Sequence, residues 1–175
     1  MSSINKVEQK KARIIQHVTQ HLIEQGLADV GLRTLAKVAG TSDRMLIYYF
    51  ETKDALLGEV LQTIASNFAL QLDGLLGQHP RTAETLRAEL WTLSSSPQFG
   101  QIIQLWFELV GLAARGQEPY AVNATAIADN WLQWIERRLE DPQAGEAIAL
   151  FAELEGRLMM KLIGVDAFEA TDSES

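Results

Sequence analysis

The sequence contains no cysteine. Disulfide bonds and metal sites built from thiolates are therefore excluded. The sequence also lacks an uninterrupted apolar run of about 20 residues, the length that an α-helix needs to cross a bilayer. Its first residues, MSSINKVEQKKAR, contain no apolar core of the kind that a secretory signal requires. These absences predict an intracellular, soluble protein located in the cytoplasm.

Signals for catalysis are equally sparse. The 12 glycines are scattered singly, and they form neither a phosphate-binding loop nor a nucleophile elbow. His17 and His21 have the spacing of two metal ligands on one helix face, but no third ligand is evident beside them. His79 precedes a proline and has no nucleophile next to it. We therefore predict a protein that is not an enzyme and that holds neither a cofactor nor a metal.

Charge is unevenly distributed along the chain. The net charge is −8, a value that, taken alone, argues against binding to nucleic acid. Residues 1–58, however, carry eight Lys or Arg against six Asp or Glu, whereas residues 59–175 carry seven against 17. A slightly basic first part on an acidic remainder suits a protein that presents one end to a polyanion, although chance scatter gives the same difference.

Apolar residues recur every three or four positions almost throughout, which is the periodicity of amphipathic helices. No stretch alternates polar and apolar residues between hairpin turns, so strands are not expected. The pattern predicts an all-α fold of eight or nine helices, most of which end at a glycine or a proline. The predicted helices cover residues 6–25, 32–39, about 43–49, 53–77, 82–93, the segment between Pro97 and Gly116, 119–140 and about 143–164.

The stretch from Leu32 to Leu57 is the most informative part of the sequence. It contains two short helices separated by Gly40, and Ala36 and Ala39 are small enough to allow a close helix crossing. Apolar residues on both helices can supply a shared core; these are Leu35, Val38, Leu46 and Phe50. This plan is that of a helix-turn-helix, in which the second helix enters the major groove of DNA by its N-terminal residues.

The run from Thr41 to Leu57 resembles the signature of the tetracycline-repressor (TetR) family of transcriptional regulators. In that family a short recognition helix ends in aromatic residues, a brief linker carries a lysine, and a long fourth helix follows. The matching residues are Leu46, Tyr48, Tyr49, Phe50, Lys53 and the Ala55-Leu56-Leu57 start of the long helix. The resemblance is specific over residues 10–60, and beyond them it rests on length and helical pattern.

The resemblance implies an N-terminal three-helix helix-turn-helix DNA-binding domain over residues 1–52. A long helix then joins it to a C-terminal helical domain, residues 53–165, which binds a ligand and dimerises. The acidic tail, residues 166–175, is expected to be disordered. The implied function is that of a repressor that binds a palindromic operator in double-stranded DNA as a homodimer and is released by an unknown small-molecule effector.

The resemblance also assigns DNA contacts to particular residues, namely Arg33, Thr41, Ser42, Asp43, Arg44, Met45, Tyr48, Tyr49 and Lys53. Arg44 is the candidate for bidentate contact with guanine, Asp43 can accept from a cytosine amino group, and Met45 can meet a thymine methyl. The others are expected to contact the DNA backbone or to cap the recognition helix, which fixes register rather than sequence.

Four positions depart from the family pattern. Ile47 stands where the family usually has a phosphate-binding tyrosine, and Tyr49 stands where histidine is common. Gly31 and Leu32 replace the usual pair of threonines at the start of the second helix, which weakens the cap of that helix. Ile47 and Gly31 would permit an alternative, namely a helical dimer that binds a small molecule or a protein and whose DNA binding has decayed. A helical enzyme without a cofactor is the third and most distant possibility.

The remainder of the chain carries two further predictions. Aromatic residues suited to lining a ligand pocket between helices are Trp91, Phe99, Trp106, Phe107 and Trp131, although aromatics at helical spacing also form ordinary cores. The last helix has two apolar stripes and therefore needs two partners. Because the family pairs its final two helices with those of a second subunit, the predicted dimer interface comprises Trp134, Phe151, Leu154, Leu158, Met159 and Leu162.

Overall fold

The computed structural model describes residues 3–28 and 30–165 of the chain, and these residues fold almost entirely into helices. The elements are α1 (Ser3–Gln25), α2 (Leu32–Val38), α3 (Asp43–Phe50), α4 (Lys53–Leu76), α5 (Ala83–Ser94), a short 3-10 helix (Pro97–Phe99), α6 (Gly100–Ala113), α7 (Tyr120–Glu136) and α8 (Glu146–Leu162). The predicted all-α class is confirmed. The predicted tail, residues 166–175, lies outside the described residues.

The helix boundaries follow local signals in the sequence. The Thr52 hydroxyl accepts a hydrogen bond from the Ala55 N–H at 3.0 Å, and the Thr82 hydroxyl accepts one from the Thr85 N–H at 3.3 Å. Each of these side chains satisfies a backbone donor that the first turn of a helix leaves unpaired. Among the helices of the described residues, none combines the length and the apolar character that crossing a membrane requires.

The chain divides into two compact units. Unit 1 comprises Met1–Leu70 and Leu105–Ile127, and unit 2 comprises Gln71–Gln104 and Ala128–Ser175. Unit 1 therefore holds α1 to α3, most of α4, the later part of α6 and the first part of α7. The boundary that we predicted between a DNA-binding domain and a ligand-binding domain, after residue 52, stays a prediction about function.

Unit 1 is built around the apolar face of α1. Ile14, Val18 and Leu22 lie four residues apart and are no more than 1% exposed, because this spacing puts them on one side of the helix. The side chains buried with them in this unit include Leu35, Ala36, Leu46, Phe50, Leu56, Leu57, Val60 and Leu109. The Lys11 ammonium lies 5.0 Å from the centre of the Phe50 ring and 3.5 Å from a Glu59 carboxylate oxygen.

Unit 2 contains a packed pair of helices, α5 and α8. Its buried apolar side chains include Leu86, Leu90, Phe99, Ile135, Leu139, Leu150 and Leu158. Two loops of this unit are joined by backbone hydrogen bonds: the Arg81 N–H donates to the Arg138 carbonyl at 2.7 Å, and the Glu140 N–H donates to the Arg81 carbonyl at 2.8 Å. This pairing is an isolated bridge, so it leaves the helical class unchanged.

A buried ion pair lies beside this bridge. The Asp73 carboxylate accepts hydrogen bonds from Trp134 Nε1 at 2.8 Å and from the Arg138 guanidinium, whose side chain is 6% exposed. The guanidinium also stacks on the Trp134 ring at 3.7 Å from its centre. Burial lowers the pKa of Arg138, because it disfavours the charged form, and the neighbouring Asp73 opposes that shift.

Candidate nucleic-acid interface

The two short helices α2 and α3 form the predicted helix-turn-helix. Gly40 has φ of 62°, a conformation that glycine adopts without steric cost, and the next residue, Thr41, donates from its N–H to the Ala36 carbonyl at 2.9 Å. Helix α2 packs against both α1 and α3. The turn therefore fixes the direction in which α3 leaves α2.

The N-terminus of α3 is capped by its own sequence. The Ser42 hydroxyl accepts a hydrogen bond from the Met45 N–H at 3.3 Å, and Asp43 is the acidic residue of the first turn. Thr41 precedes the cap and is half-buried. The remaining free N–H groups and the positive end of the helix dipole are the features that attract an anion such as a phosphate.

The outward face of α3 consists of Arg44, Ile47 and Tyr48. At 100° per residue these positions lie on one side of the helix, opposite the buried Leu46 and Phe50. Tyr48 is 68% exposed and Ile47 is 40% exposed, and Arg44 is also exposed. A guanidinium, an apolar side chain and a phenol therefore share the surface that α3 presents to solvent.

The flanks of α3 are partly covered. Asp43, Met45 and Tyr49 are half-buried, and the Tyr49 ring meets the Tyr48 ring edge to face at 5.2 Å. A carboxylate oxygen of Asp43 lies 4.0 Å from Nε of Arg33 on α2, whose side chain is 97% exposed. An ion pair this long and this exposed contributes little stability, so it does not hold either charge away from a ligand.

The connection from α3 to α4 is tight and strained. Glu51 has φ of 65° and ψ of −48°, and the Thr52 N–H donates to the Phe50 carbonyl at 2.7 Å across it. A residue other than glycine in such a conformation stores about 1–3 kcal/mol. Lys53 begins α4 directly after this turn and is half-buried. The residue types around Glu51 gave no signal for the strain, since turns with positive φ favour glycine or asparagine.

A carboxylate from α6 reaches the end of α1 within unit 1. Glu108 Oε2 accepts a hydrogen bond from the Leu27 backbone N–H at 2.7 Å. The preceding residue, Gly26, has φ of 74°, and a Cβ added there would lie 2.5 Å from the same oxygen. The positive φ and the position of this carboxylate together favour glycine here. We did not predict this contact, because α6 and α1 are distant in the sequence.

Helix α4 is held at its N-terminal part by α7. Asn123 is buried and donates from Nδ2 to the Pro119 carbonyl at 2.8 Å, and its Oδ1 accepts from Gln62 at 3.4 Å. Tyr120 is 8% exposed, and its pKa is raised, first by burial and second by the negative charge of Asp54. These contacts fix the helix that begins beside the recognition helix.

Residues 14–60 match the model of the family described as bacterial regulatory proteins, tetR family. The match covers the helix-turn-helix region, which therefore resembles that of the tetR family. The fold of the chain is similar to that of a transcriptional regulator from Streptomyces coelicolor A3(2), with a TM-score of 0.70, 26% identity and 86% coverage of each chain. It is also similar to a TetR-family transcriptional regulator from Rhodococcus sp., with a TM-score of 0.68, 21% identity and coverage of 90% of this chain and 89% of that one. No curated protein matches the sequence.

The residues predicted to line a ligand pocket are divided between the two units. Trp106 and Phe107 lie in unit 1, where both are half-buried, and Trp91, Phe99 and Trp131 lie in unit 2. Phe99 is 1% exposed and belongs to the core of unit 2. The Arg157 guanidinium carbon lies 4.3 Å from the centre of the Trp91 ring. The centres of the Trp131 and Trp134 rings lie 5.4 Å apart. A ligand pocket in this chain stays a prediction.

The residues predicted for a dimer interface differ in their exposure. Met159 and Leu162 on α8 are 43% and 40% exposed, while Phe151 and Leu154 are half-buried. Trp134 is 5% exposed and Leu158 is 3% exposed. Both side chains are covered by their own chain, and their place in a dimer interface stays a prediction. Ile163, at 68% exposure, extends the exposed stripe of α8.

Proposed function

We propose that this chain is a TetR-family transcriptional regulator that binds a palindromic operator as a homodimer, represses transcription there and is released by a small molecule in the cytoplasm. The observation that carries the DNA-binding part is the outward face of α3. A capped helix end and an exposed guanidinium stand on a helix whose opposite face is buried in unit 1. Such a helix can enter the major groove without exposing the core.

The roles of the individual side chains follow from their chemistry. Arg44 donates to O6 and N7 of a guanine, Asp43 accepts from a cytosine amino group and Met45 contacts a thymine methyl. The remaining candidates are expected to contact phosphates or to orient α3; they are Arg33, Thr41, Ser42, Tyr48, Tyr49 and Lys53. Contacts to phosphates set the register of the protein on the duplex.

The exposed stripe of α8 supports dimerisation. Ile148 is 57% exposed and lies on α8 with Met159 and Leu162, and Ile163 directly follows the helix. Two copies joined through this stripe bury apolar surface that the single chain leaves in water. A dimer also presents two recognition helices, which read half-sites about 34–36 Å apart on a palindromic duplex.

Release by a small molecule requires that the molecule bind the two states of the dimer unequally. The aromatic residues that we predicted for the pocket supply apolar surface for such a ligand. We propose that ligand binding shifts the long helix α4 and thereby moves α3, since α4 begins with Lys53 directly after the turn that follows α3.

Selection from random duplexes tests the DNA-binding part. We expect the wild-type protein to select a palindrome at low salt, and Arg44→Ala to lose preference at one position of each half-site, at a cost of about 1–3 kcal/mol. Lys53→Ala should weaken binding to all sequences equally. It should also reduce the slope of log K against log salt concentration by about 1. Arg137→Ala, at an exposed arginine of unit 2, is the matched control and should change neither quantity.

If the wild-type protein selects no sequence but still binds small molecules as a dimer, the DNA-binding proposal is wrong. That result would favour the helical dimer with decayed DNA binding that the departures at Ile47 and Gly31 suggested.

A charged substitution on the exposed stripe tests dimerisation. We expect Ile163→Glu and Met159→Glu each to shift the protein toward the monomer in analytical ultracentrifugation, because the interface would bury an unpaired carboxylate. Leu70→Glu, which changes another exposed apolar side chain, 66% exposed on α4, is the control and should stay dimeric. An unchanged sedimentation profile for both α8 variants would contradict the proposed interface.

A further inference from the structure

Ile47 is the apolar member of the outward face of α3. Its side chain is 40% exposed between the exposed Arg44, three residues before it, and the exposed Tyr48, directly after it. Isolated exposed apolar side chains are common on protein surfaces. Ile47 differs from these because it shares the solvent face of its helix with a guanidinium and a phenol. This position suggests a role in binding.

The chemistry of isoleucine narrows what this side chain can recognise. It has neither a donor nor an acceptor, so it can bind neither a phosphate oxygen nor the polar edge of a base. Its β-branched side chain is nearly confined to one χ1 rotamer in a helix, so it presents a fixed apolar surface. The apolar group that bases offer in the major groove of DNA is the C5-methyl of thymine.

We propose that Ile47 determines operator specificity by packing against a thymine methyl, an inference that rests on the proposed DNA-binding function. Side chains three residues apart on a helix lie about 5–6 Å apart. Successive base pairs lie about 3.4 Å apart along the helix axis. The thymine that Ile47 contacts therefore lies one or two base pairs from the guanine that Arg44 contacts.

The test removes only the methyl group. In the selected operator, each thymine of both half-sites is replaced in turn by deoxyuridine, and the Kd is measured by fluorescence anisotropy. For the wild-type protein we expect, besides the thymine assigned to Met45, a position next to the Arg44 guanine at which loss of the methyl weakens binding about three- to fivefold per half-site, the value of one buried methyl group. Ile47→Ala should bind the thymine and deoxyuridine duplexes equally at that position.

Arg44→Ala is the matched control. It should lose the preference for guanine and keep the discrimination between thymine and deoxyuridine at the Ile47 position. Ile47 is exposed and alanine favours helix, so Ile47→Ala should keep the circular dichroism and melting temperature of the wild type. These measurements separate a lost contact from a lost fold.

The outcomes distinguish this inference from the proposed function. If the wild-type protein selects a palindrome but Ile47→Ala retains the full preference for thymine over deoxyuridine, the inference is overturned and the DNA-binding function stands. If no sequence is selected at low salt, the proposed function fails and the inference falls with it.

Discussion

Replacing Asp73 by alanine is expected to lower the free energy of unfolding by about 3 kcal/mol, the lower end of the range for breaking a buried ion pair by removing one partner. The Arg138 side chain is 6% exposed and would keep its charge without a counterion. Trp134 Nε1 would also lose its acceptor. Urea denaturation followed by circular dichroism, at one fixed protein concentration, measures the change.

A surface ion pair in the same unit is the control. Arg87 and Glu153 lie 2.9 Å apart with side chains 39% and 44% exposed, so Arg87→Ala should cost less than about 1 kcal/mol. Asp73→Asn keeps an acceptor for Trp134 while removing the charge, and it should fall between the two. If Asp73→Ala costs no more than Arg87→Ala, the buried pair does not hold unit 2 together.

The helices were predictable because their signals are local. The periodicity of Ile14, Val18 and Leu22 defines the buried face of α1, and hydroxyls at Thr52 and Thr82 mark two helix starts. The helix-turn-helix was predictable for the same reason, since Gly40 and the small alanines before it lie within a few residues of one another. Each of these features depends on the order of residues over one or two turns.

Features formed by residues far apart in the sequence were not predictable. Trp134 was assigned to the dimer interface, but it donates to Asp73 of its own chain. A helical stripe shows that a residue is covered, and it does not show whether its own chain or a second copy covers it. Leu158 is likewise covered by its own chain, at 3% exposure, whereas Met159, one position later, is 43% exposed.

Which residues of α3 face solvent could be predicted in part. The residues at the start of α3 follow from the helix-turn-helix pattern, and the alternation of buried and exposed positions follows from the helical period. Ile47 was noted only as a departure from the family. Its place on the outward face, beside Arg44, emerged from the burial of Leu46 and Phe50. The positive φ of Glu51 had no signal in the sequence.

The contact of Glu108 with the end of α1 leads to the second large effect. Gly26→Ala is expected to lower the free energy of unfolding by about 2–4 kcal/mol, from the strain of an L-residue at φ of 74° and from the lost hydrogen bond to a charged group. The new Cβ would lie 2.5 Å from the carboxylate. Glu108 is flexible and can move aside, but its bond to the Leu27 N–H would then break.

Gly40→Ala separates the two contributions. Gly40 has φ of 62° and no atom within 4 Å of an added Cβ, so its substitution should cost only the conformational strain, about 1 kcal/mol. The excess cost of Gly26→Ala then measures the hydrogen bond. In a double-mutant cycle, Glu108→Ala should be strongly non-additive with Gly26→Ala, because both remove the same bond, and additive with Gly40→Ala. Additivity in both cycles would show that Gly26→Ala leaves the hydrogen bond from Leu27 to Glu108 intact and that conformational strain alone accounts for its cost.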